Sequence, residues 1–294
     1  MRVFVTGASG FVGSAVVGEL IAAGHAVAGL ARSEASAKAI SAMGAEVIHG
    51  DLTDLDSLRL GARNADGIIH TGFVHDFSRF KECCEIDVRA IEAMGSVLAG
   101  SDRLMLVTSG TGILTSGVLA TESSVASGHI PRMSEQTAFR MLESGVRASA
   151  VRLAPSVHGV GDHGFVPLLI NLAREKGAAA YIDAGDNVWP GVHRLDAARL
   201  YGLALENGTS GVAYHATGEP GVPFRKIAEV IGRRLGLPVV SKSGQDAIDH
   251  FGWFAHFAEL DNPSSSEWTR QALGWTPTGP DLLTDLDQPA YFEG

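Results

Sequence analysis

Gly7, Gly10 and Gly13 stand three residues apart in the stretch TGASGFVG, directly behind a short apolar run at residues 3–6. In such a turn the first glycine permits the tight bend and the second lets a pyrophosphate approach the backbone. The third lets a helix pack closely on the strand. Free N–H groups at the helix start then face the anion. Thr6, Gly7, Ser9, Gly10, Phe11, Val12 and Gly13 are therefore expected to hold a dinucleotide. Which dinucleotide is read at the end of the second strand, where an acid would bond the adenosine ribose and a base would pair with a 2′-phosphate. Leu30, Ala31, Arg32 and Ser33 stand there, followed by Glu34, with Lys38 nearby. Arg32 offers a planar fork suited to phosphate and Ser33 a further donor, so the expected cofactor is NADP(H). The alternative is NAD beside a solvated Arg32, because Glu34 lies close.

Positioning these groups requires a sheet. Short apolar runs recur at residues 3–6, 26–31, 46–49, 67–71, 103–109, 148–154 and 212–217, with helical segments between them. Uninterrupted runs such as LMLVTS and SAVRLA suit strands buried on both faces. Val12, Val16 and Leu20 fall on one helical stripe, and Gly24 terminates it. The pattern predicts an α/β fold: a Rossmann-type, doubly wound parallel sheet with a smaller, interleaved C-terminal cap. Residues 1–155, with about 191–217, form the expected NADP-binding domain; about 156–190 and 218–294 form the expected substrate-binding cap. Helices are expected at 196–206, 224–235 and 267–273, the last with Ser264 and Glu267 at the spacing of a capping box.

Composition narrows the partners. The 294 residues carry 23 basic and 33 acidic side chains, a net charge of −10, which repels phosphate backbones and anionic membranes. No nucleic-acid or membrane partner is expected. Cys83 and Cys84 are adjacent, so they neither close a useful loop nor supply spaced zinc ligands. No HxxxH or HExxH spacing exists, and no metal is expected. A soluble cytoplasmic enzyme with a small-molecule substrate fits these features.

The chain resembles the extended short-chain dehydrogenase/reductase superfamily, also described as the NAD-dependent epimerase/dehydratase family. TGASGFVG at 6–13 resembles its nucleotide loop, and HGDLTD at 49–54 the segment that meets adenine. IIHTGF resembles its fourth strand, LVTSGTG at 106–112 its fifth and VRLAPSVHGVGDHG at 151–164 its sixth strand and loop. GVHRLDAARL at 191–200 resembles its returning helix. The resemblance implies that Asp51 and Leu52 hold adenine, Thr71 and Gly72 line the ribose side, and Pro155 and Val157 flank the nicotinamide. It also implies a homodimer, through helices at about 81–98 and 134–142.

One family feature is missing. The family transfers protons with a Tyr and a Lys four residues later, but Tyr181, Tyr201 and Tyr214 are followed at that distance by Gly185, Leu205 and Gly218, and Tyr291 by nothing. In the corresponding region, GHIPRMSEQTAFR at 128–140, Ser134 and Glu135 resemble the family's Ser-Lys and Pro131 stands where Tyr would be. The chain is identified as an atypical branch in which basic residues, here His129 and Arg132, replace the dyad. A His titrates near neutral pH, whereas an Arg polarises or binds an anion; the bland alternative is that both decorate a helix entrance. Gly110 falls where the family has a substrate-orienting serine, so either Ser109 or Thr111 takes that part. His158 and His163, after the nicotinamide strand, and Trp189 are the substrate-pocket candidates, while His193 matches a structural position. Phe251, Trp253, Phe254 and Phe257 either pack a core or wall an apolar pocket.

The expected function is an NADPH-dependent reductase, or the reverse dehydrogenase, acting on a carbonyl or imine of a small, fairly apolar molecule. Its rivals are sugar-nucleotide epimerase or dehydratase chemistry and a non-catalytic NADP(H)-sensing protein.

Overall fold

The apolar runs become β1 (Arg2–Thr6), β2 (Ala26–Ala31), β3 (Glu46–His49), β4 (Gly67–His70), β5 (Leu104–Gly110) and β6 (Arg147–Leu153). Between them lie α1 (Phe11–Ala22), α2 (Glu34–Ala42), α3 (Leu55–Arg63), α4 (Phe80–Leu98) and α5 (Ser134–Arg140). There follow β7 (Ser156–His158), α6 (Phe165–Lys176), β8 (Ala179–Ile182), β9 (Val188–His193), α7 (Arg194–Asn207) and β10 (Ala213–Ala216). The chain ends with β11 (Glu219–Pro223), α8 (Phe224–Leu235), β12 (Val239–Lys242), α9 (Gly244–Phe251), α10 (Ala255–Ala258), α11 (Glu267–Leu273) and α12 (Leu282–Leu286). The structure is a computed structural model that describes residues 1–128 and 130–293.

Seven strands form one parallel sheet in the order β10-β6-β5-β4-β1-β2-β3. Alternation along each strand feeds two cores, because successive side chains point to opposite faces. Val3 and Val5 pack with α1 and α7, while Phe4 packs on the other face with Leu58 of α3 and Ile91 of α4. Burial on both faces explains the unbroken apolar runs. Strand order reverses between β1 and β4, which places the crevice where such sheets bind ligands at the carboxyl ends of those two strands.

A third core joins α6, α8, α9 and α12 around Trp189, Phe224, Phe251 and Phe254. Two small sheets belong to this C-terminal lobe: β11-β9-β7, and β12 paired with β8. The Gly-, Pro- and His-rich stretch after residue 154 reads as loops in the sequence, yet it contains β7, β8 and β9. Pro190 hides β9, since Pro removes a ladder donor and normally argues against a strand, and β7 and β8 are only three and four residues long. The capping box is also corrected. Glu267 opens α11, its N–H donates to Ser265 Oγ at 3.1 Å, and Ser264 instead donates to the carbonyl of Asn262.

Candidate active site

The nucleotide loop is shaped by what glycine omits. A Cβ on Gly13 would lie 2.0 Å from the Gly7 carbonyl oxygen, and one on Gly7 would lie 2.7 Å from the Gly72 nitrogen. Gly7 also has φ +69°, a conformation that disfavours side chains. Gly10 differs: it is exposed, a Cβ there would meet only the Gly7 oxygen at 3.1 Å, and it caps α1 without any side-chain bond. The first-turn N–H groups of Phe11, Val12 and Gly13 lack intrahelical acceptors, as at any helix start, and no acidic residue occupies that turn. This cradle fits a pyrophosphate; Ser9 is exposed beside it.

Around the cradle, Thr71 Oγ1 donates to the Thr6 carbonyl at 2.7 Å and Gly72 N–H donates to Thr6 Oγ1 at 3.2 Å. Leu52 is buried beside Gly72, and the Asp51 carboxylate accepts from the N–H and hydroxyl of Thr53. Pro155 and Val157 are half-buried. Arg32 is exposed and forms no ion pair among the described residues. Ser33 caps α2, its Oγ accepting from Ser36 N–H at 3.2 Å.

From Thr6 a buried hydrogen-bond chain crosses to the opposite side of the crevice. Register pairs Thr6 with His70, and Thr6 Oγ1 meets His70 Nδ1 at 2.6 Å. His70 Nε2 meets Asp87 Oδ1 at 3.1 Å, Ser134 Oγ donates to Asp87 Oδ2 at 2.5 Å, and Arg132 Nε donates to Ser134 Oγ at 3.1 Å. Because the ionised Asp87 carboxylate can only accept, His70 Nε2 carries the proton of that bond, and Nδ1 accepts from the Thr6 hydroxyl, whose oxygen also accepts from Gly72 N–H. Every donor then points to one ionised carboxylate. Burial alone would raise the Asp87 pKa, but the His70 bond, the Arg132 charge and Ser134 hold it below the usual carboxylate range.

Arg132 also donates from Nη2 to the Thr108 carbonyl at 3.1 Å, and its guanidinium lies 4.3 Å over the Phe73 ring. An aromatic series leads outward from there. Phe73 meets His75 edge-on at 5.2 Å, and Phe77 stacks on Trp253 at 5.0 Å, with Phe257 at 6.3 Å from Phe77. Phe77 and Trp253 are 37% and 55% exposed, so they form an open rim while Phe251 and Phe254 fill the core. The aromatic run thus divides, with Phe251 and Phe254 in the core and Trp253 on the open rim. Desolvation by the surrounding protein, then the charges of Arg132 and His163, push the His75 pKa down. Sequence reasoning missed His75; its only signal was its place five residues past the fourth strand, in IIHTGFVHDF.

The other candidates sit differently. Ser109 is buried, and its Oγ has no partner among the described residues. Thr111 is fully buried and commits its hydroxyl to Asn262 Oδ1 at 2.6 Å, which ties β5 to the C-terminal lobe. His129 lies outside the described residues. Glu135 grips Arg152 with both oxygens, at 2.6 and 2.7 Å, as a buried ion pair. As substrate contacts, two expectations need correction. His158 is 1% exposed and bonds Asp285 through Nδ1 at 2.8 Å, and Trp189 is fully buried among Phe165, Phe224 and Phe254. His163 is exposed but packs edge-on against Phe11 of the nucleotide loop at 5.7 Å.

A cavity of about 740 Å³ lies apart from this crevice, between α5, β10 and α11. Among the described residues no group of three His, Cys, Asp or Glu side chains could hold a metal, and no helix is long and apolar enough to cross a membrane.

Comparison with known proteins agrees with this geometry. Residues 7–145 match the NAD(P)H-binding family model. An uncharacterized protein of Schizosaccharomyces pombe is 52% identical, covering 99% of this chain and 100% of that protein. The chain belongs to that protein's family and carries an NAD(P)H-binding domain. An uncharacterized protein of Saccharomyces cerevisiae is 48% identical over 97% of this chain and 98% of its own length. In fold, the chain resembles DesIV, a dTDP-glucose 4,6-dehydratase from Streptomyces venezuelae solved with NAD and TYD bound. The TM-score is 0.80 at 20% identity, covering 99% of this chain and 97% of that one.

Proposed function

We propose that this protein is an NADP(H)-dependent reductase, or the reverse dehydrogenase, for a carbonyl or imine of a small, fairly apolar molecule. One observation carries the reading: the Arg132 guanidinium is fixed by Thr108 and Ser134 over Phe73, beside strand ends that also carry the glycine cradle. NADPH supplies the hydride when bound. The chain's own residues do the rest. First-turn N–H groups of α1 bind the pyrophosphate, Arg32 pairs with the 2′-phosphate, and the C-terminal lobe caps the crevice. Arg132 polarises the reacting group, and the proton comes from solvent past the exposed His75. Orientation beside the nicotinamide accounts for up to roughly 7–11 kcal/mol of barrier lowering, whereas proton transfer by a positioned acid supplies only about 10²- to 10⁴-fold.

NADPH oxidation followed by absorbance over a panel of aldehydes, ketones and imines tests this. Turnover that falls at least 100-fold in Arg132→Ala supports it; turnover unchanged in that variant refutes the assignment. A second reading, a non-catalytic NADP(H) sensor, is favoured by the burial of Ser109 and the commitment of Thr111 to Asn262. Micromolar NADPH binding with no turnover across the panel would select it. We also propose a homodimer through α4 and α5, which light scattering at micromolar concentration tests; a monomer there rejects it.

A further inference from the structure

The substrate side of the crevice carries a cation without a direct counter-ion. A guanidinium has five N–H groups. Arg132 gives one to Ser134 Oγ and one to the Thr108 carbonyl, both neutral acceptors, which leaves three. No ion pair engages Arg132 among the described residues. Asp87, the carboxylate behind Ser134, is already shared between His70 and the Ser134 hydroxyl. The nearby carboxylates are committed as well: Asp76 in the loop after β4 and Glu82 in the first turn of α4 both pair with Arg79. His75, His163, Cys84 and Tyr201 are the other titratable groups close by; none supplies negative charge, since burial raises the Cys84 thiol to about 11 and pushes the Tyr201 phenol up.

The wall beside this cation is aromatic. Phe73 lies under the guanidinium, and Phe80, 6.2 Å from Phe73 and 5.7 Å from Phe77, links it to the Phe77–Trp253 pair, a half-open stacked rim contributed by two different lobes. Large aromatic faces left open on a protein whose cores are otherwise closed mark a surface meant to be covered. An arginine that keeps a planar fork of free donors beside such faces selects a planar anion, since carboxylate oxygens match the fork and a −10 protein offers few other attractions for one.

We propose that the substrate is an aromatic or other flat apolar compound that bears a carboxylate next to its reacting carbonyl, a 2-oxo acid, with a carboxylate oxygen and the carbonyl oxygen both on the free N–H groups of Arg132 and the apolar body toward Phe77 and Trp253. This rests on the reductase reading. In the reaction a C–H bond forms at the carbonyl carbon with hydride from NADPH, the C=O π bond opens, and its oxygen takes one proton from solvent. The products are a 2-hydroxy acid and NADP⁺. The carboxylate departs unchanged.

The experiment separates binding from turnover. Phenylacetate and its neutral counterpart phenylacetamide are titrated calorimetrically into the full chain saturated with NADP⁺, and phenylpyruvate and phenylacetaldehyde are compared as substrates. Phenylacetate should bind at least tenfold tighter than the amide. Arg132→Met should erase that ratio, Arg132→Lys should keep a preference for the anion with at least threefold weaker binding, and Trp253→Ala should weaken both ligands equally. Equal binding of acid and amide, or a preference that survives Arg132→Met, overturns the proposal. If neutral carbonyls are reduced while the charge preference is missing, the 2-oxo acid assignment falls and the reductase stands. If the preference is present while no carbonyl is reduced, the reductase reading falls and Arg132 remains an anion site.

Discussion

The two sides of the crevice are built from different materials. The nucleotide side is backbone: its shape comes from missing Cβ atoms at Gly7 and Gly13 and from N–H groups at the start of α1. The facing side is made of side chains, with Arg132 held at the end of a chain of buried polar groups and aromatic rings drawn from both lobes. A backbone site can be destroyed by one carbon atom but has little chemistry to vary. A side-chain site can change its substrate while leaving the sheet intact, which is how one fold hosts many reactions.

The sharpest way to break this contrast is at the glycines. Gly13→Val places carbon atoms on the Gly7 carbonyl and should prevent the native loop from forming, leaving no cooperative thermal transition. Gly10→Val, with only a 3.1 Å contact to absorb, should fold and lose at least 100-fold in NADPH affinity, about 2.7 kcal/mol. Circular dichroism and a fluorescence titration distinguish the two, and a Gly10→Val protein with native affinity would remove the pyrophosphate from the cradle. On the facing side, Asp87→Asn turns one end of the carboxylate into a donor that faces His70 or Ser134. The loss should be about 1–3 kcal/mol in chemical denaturation, with NADPH affinity within threefold of native.

A smaller effect is expected from Arg32→Ala, which should weaken NADPH about tenfold, near 1.4 kcal/mol, and leave NADH unchanged. Equal losses for both nucleotides would show that Arg32 does not read the 2′-phosphate. The smallest lies at the seam between the lobes. Burial pushes the Asp162 carboxyl up to about 6, with Tyr291 donating to Oδ2 at 3.4 Å. Its neutral form is the one the fold favours, so its stabilising contribution is present below the unfolded carboxylate range and is lost as pH rises through about 6. Asp162→Asn should therefore raise the melting temperature at pH 8 by about 2 °C and flatten its pH dependence between about 4 and 7. Identical pH profiles for both proteins would contradict this.

Much of the backbone side was legible in the sequence because local rules govern it. The runs at 26–31 and 46–49 match β2 and β3 to the residue, and the glycine spacing announced the turn. The facing side obeys long-range rules that no short window contains. Asp87 reads as a polar position on an amphipathic helix until the sheet brings His70 and Ser134 against it, from 17 and 47 residues away. Thr111 reads as a free hydroxyl until Asn262, 151 residues later, takes it. Glu135 sits where a lysine was expected, and only Arg152 on β6 explains an acid there. His75 was overlooked because a histidine beside an aspartate in a loop resembles ordinary surface.

The position of α7 in the chain has a consequence for biosynthesis. Val16, Val17 and Leu20 of α1 share a core with Leu200, Tyr201 and Ala204 of α7. A ribosome adding about 5–20 residues per second needs roughly 10 to 40 s to travel from one helix to the other. Throughout that interval the apolar stripe of α1 is covered only by the strands made beside it, Val3, Val5, Val27 and Ala31, and lacks its α7 partner; β10, which completes the sheet, arrives later still. The nucleotide-binding end of the nascent chain therefore stays incompletely buried until residue 216 has been added.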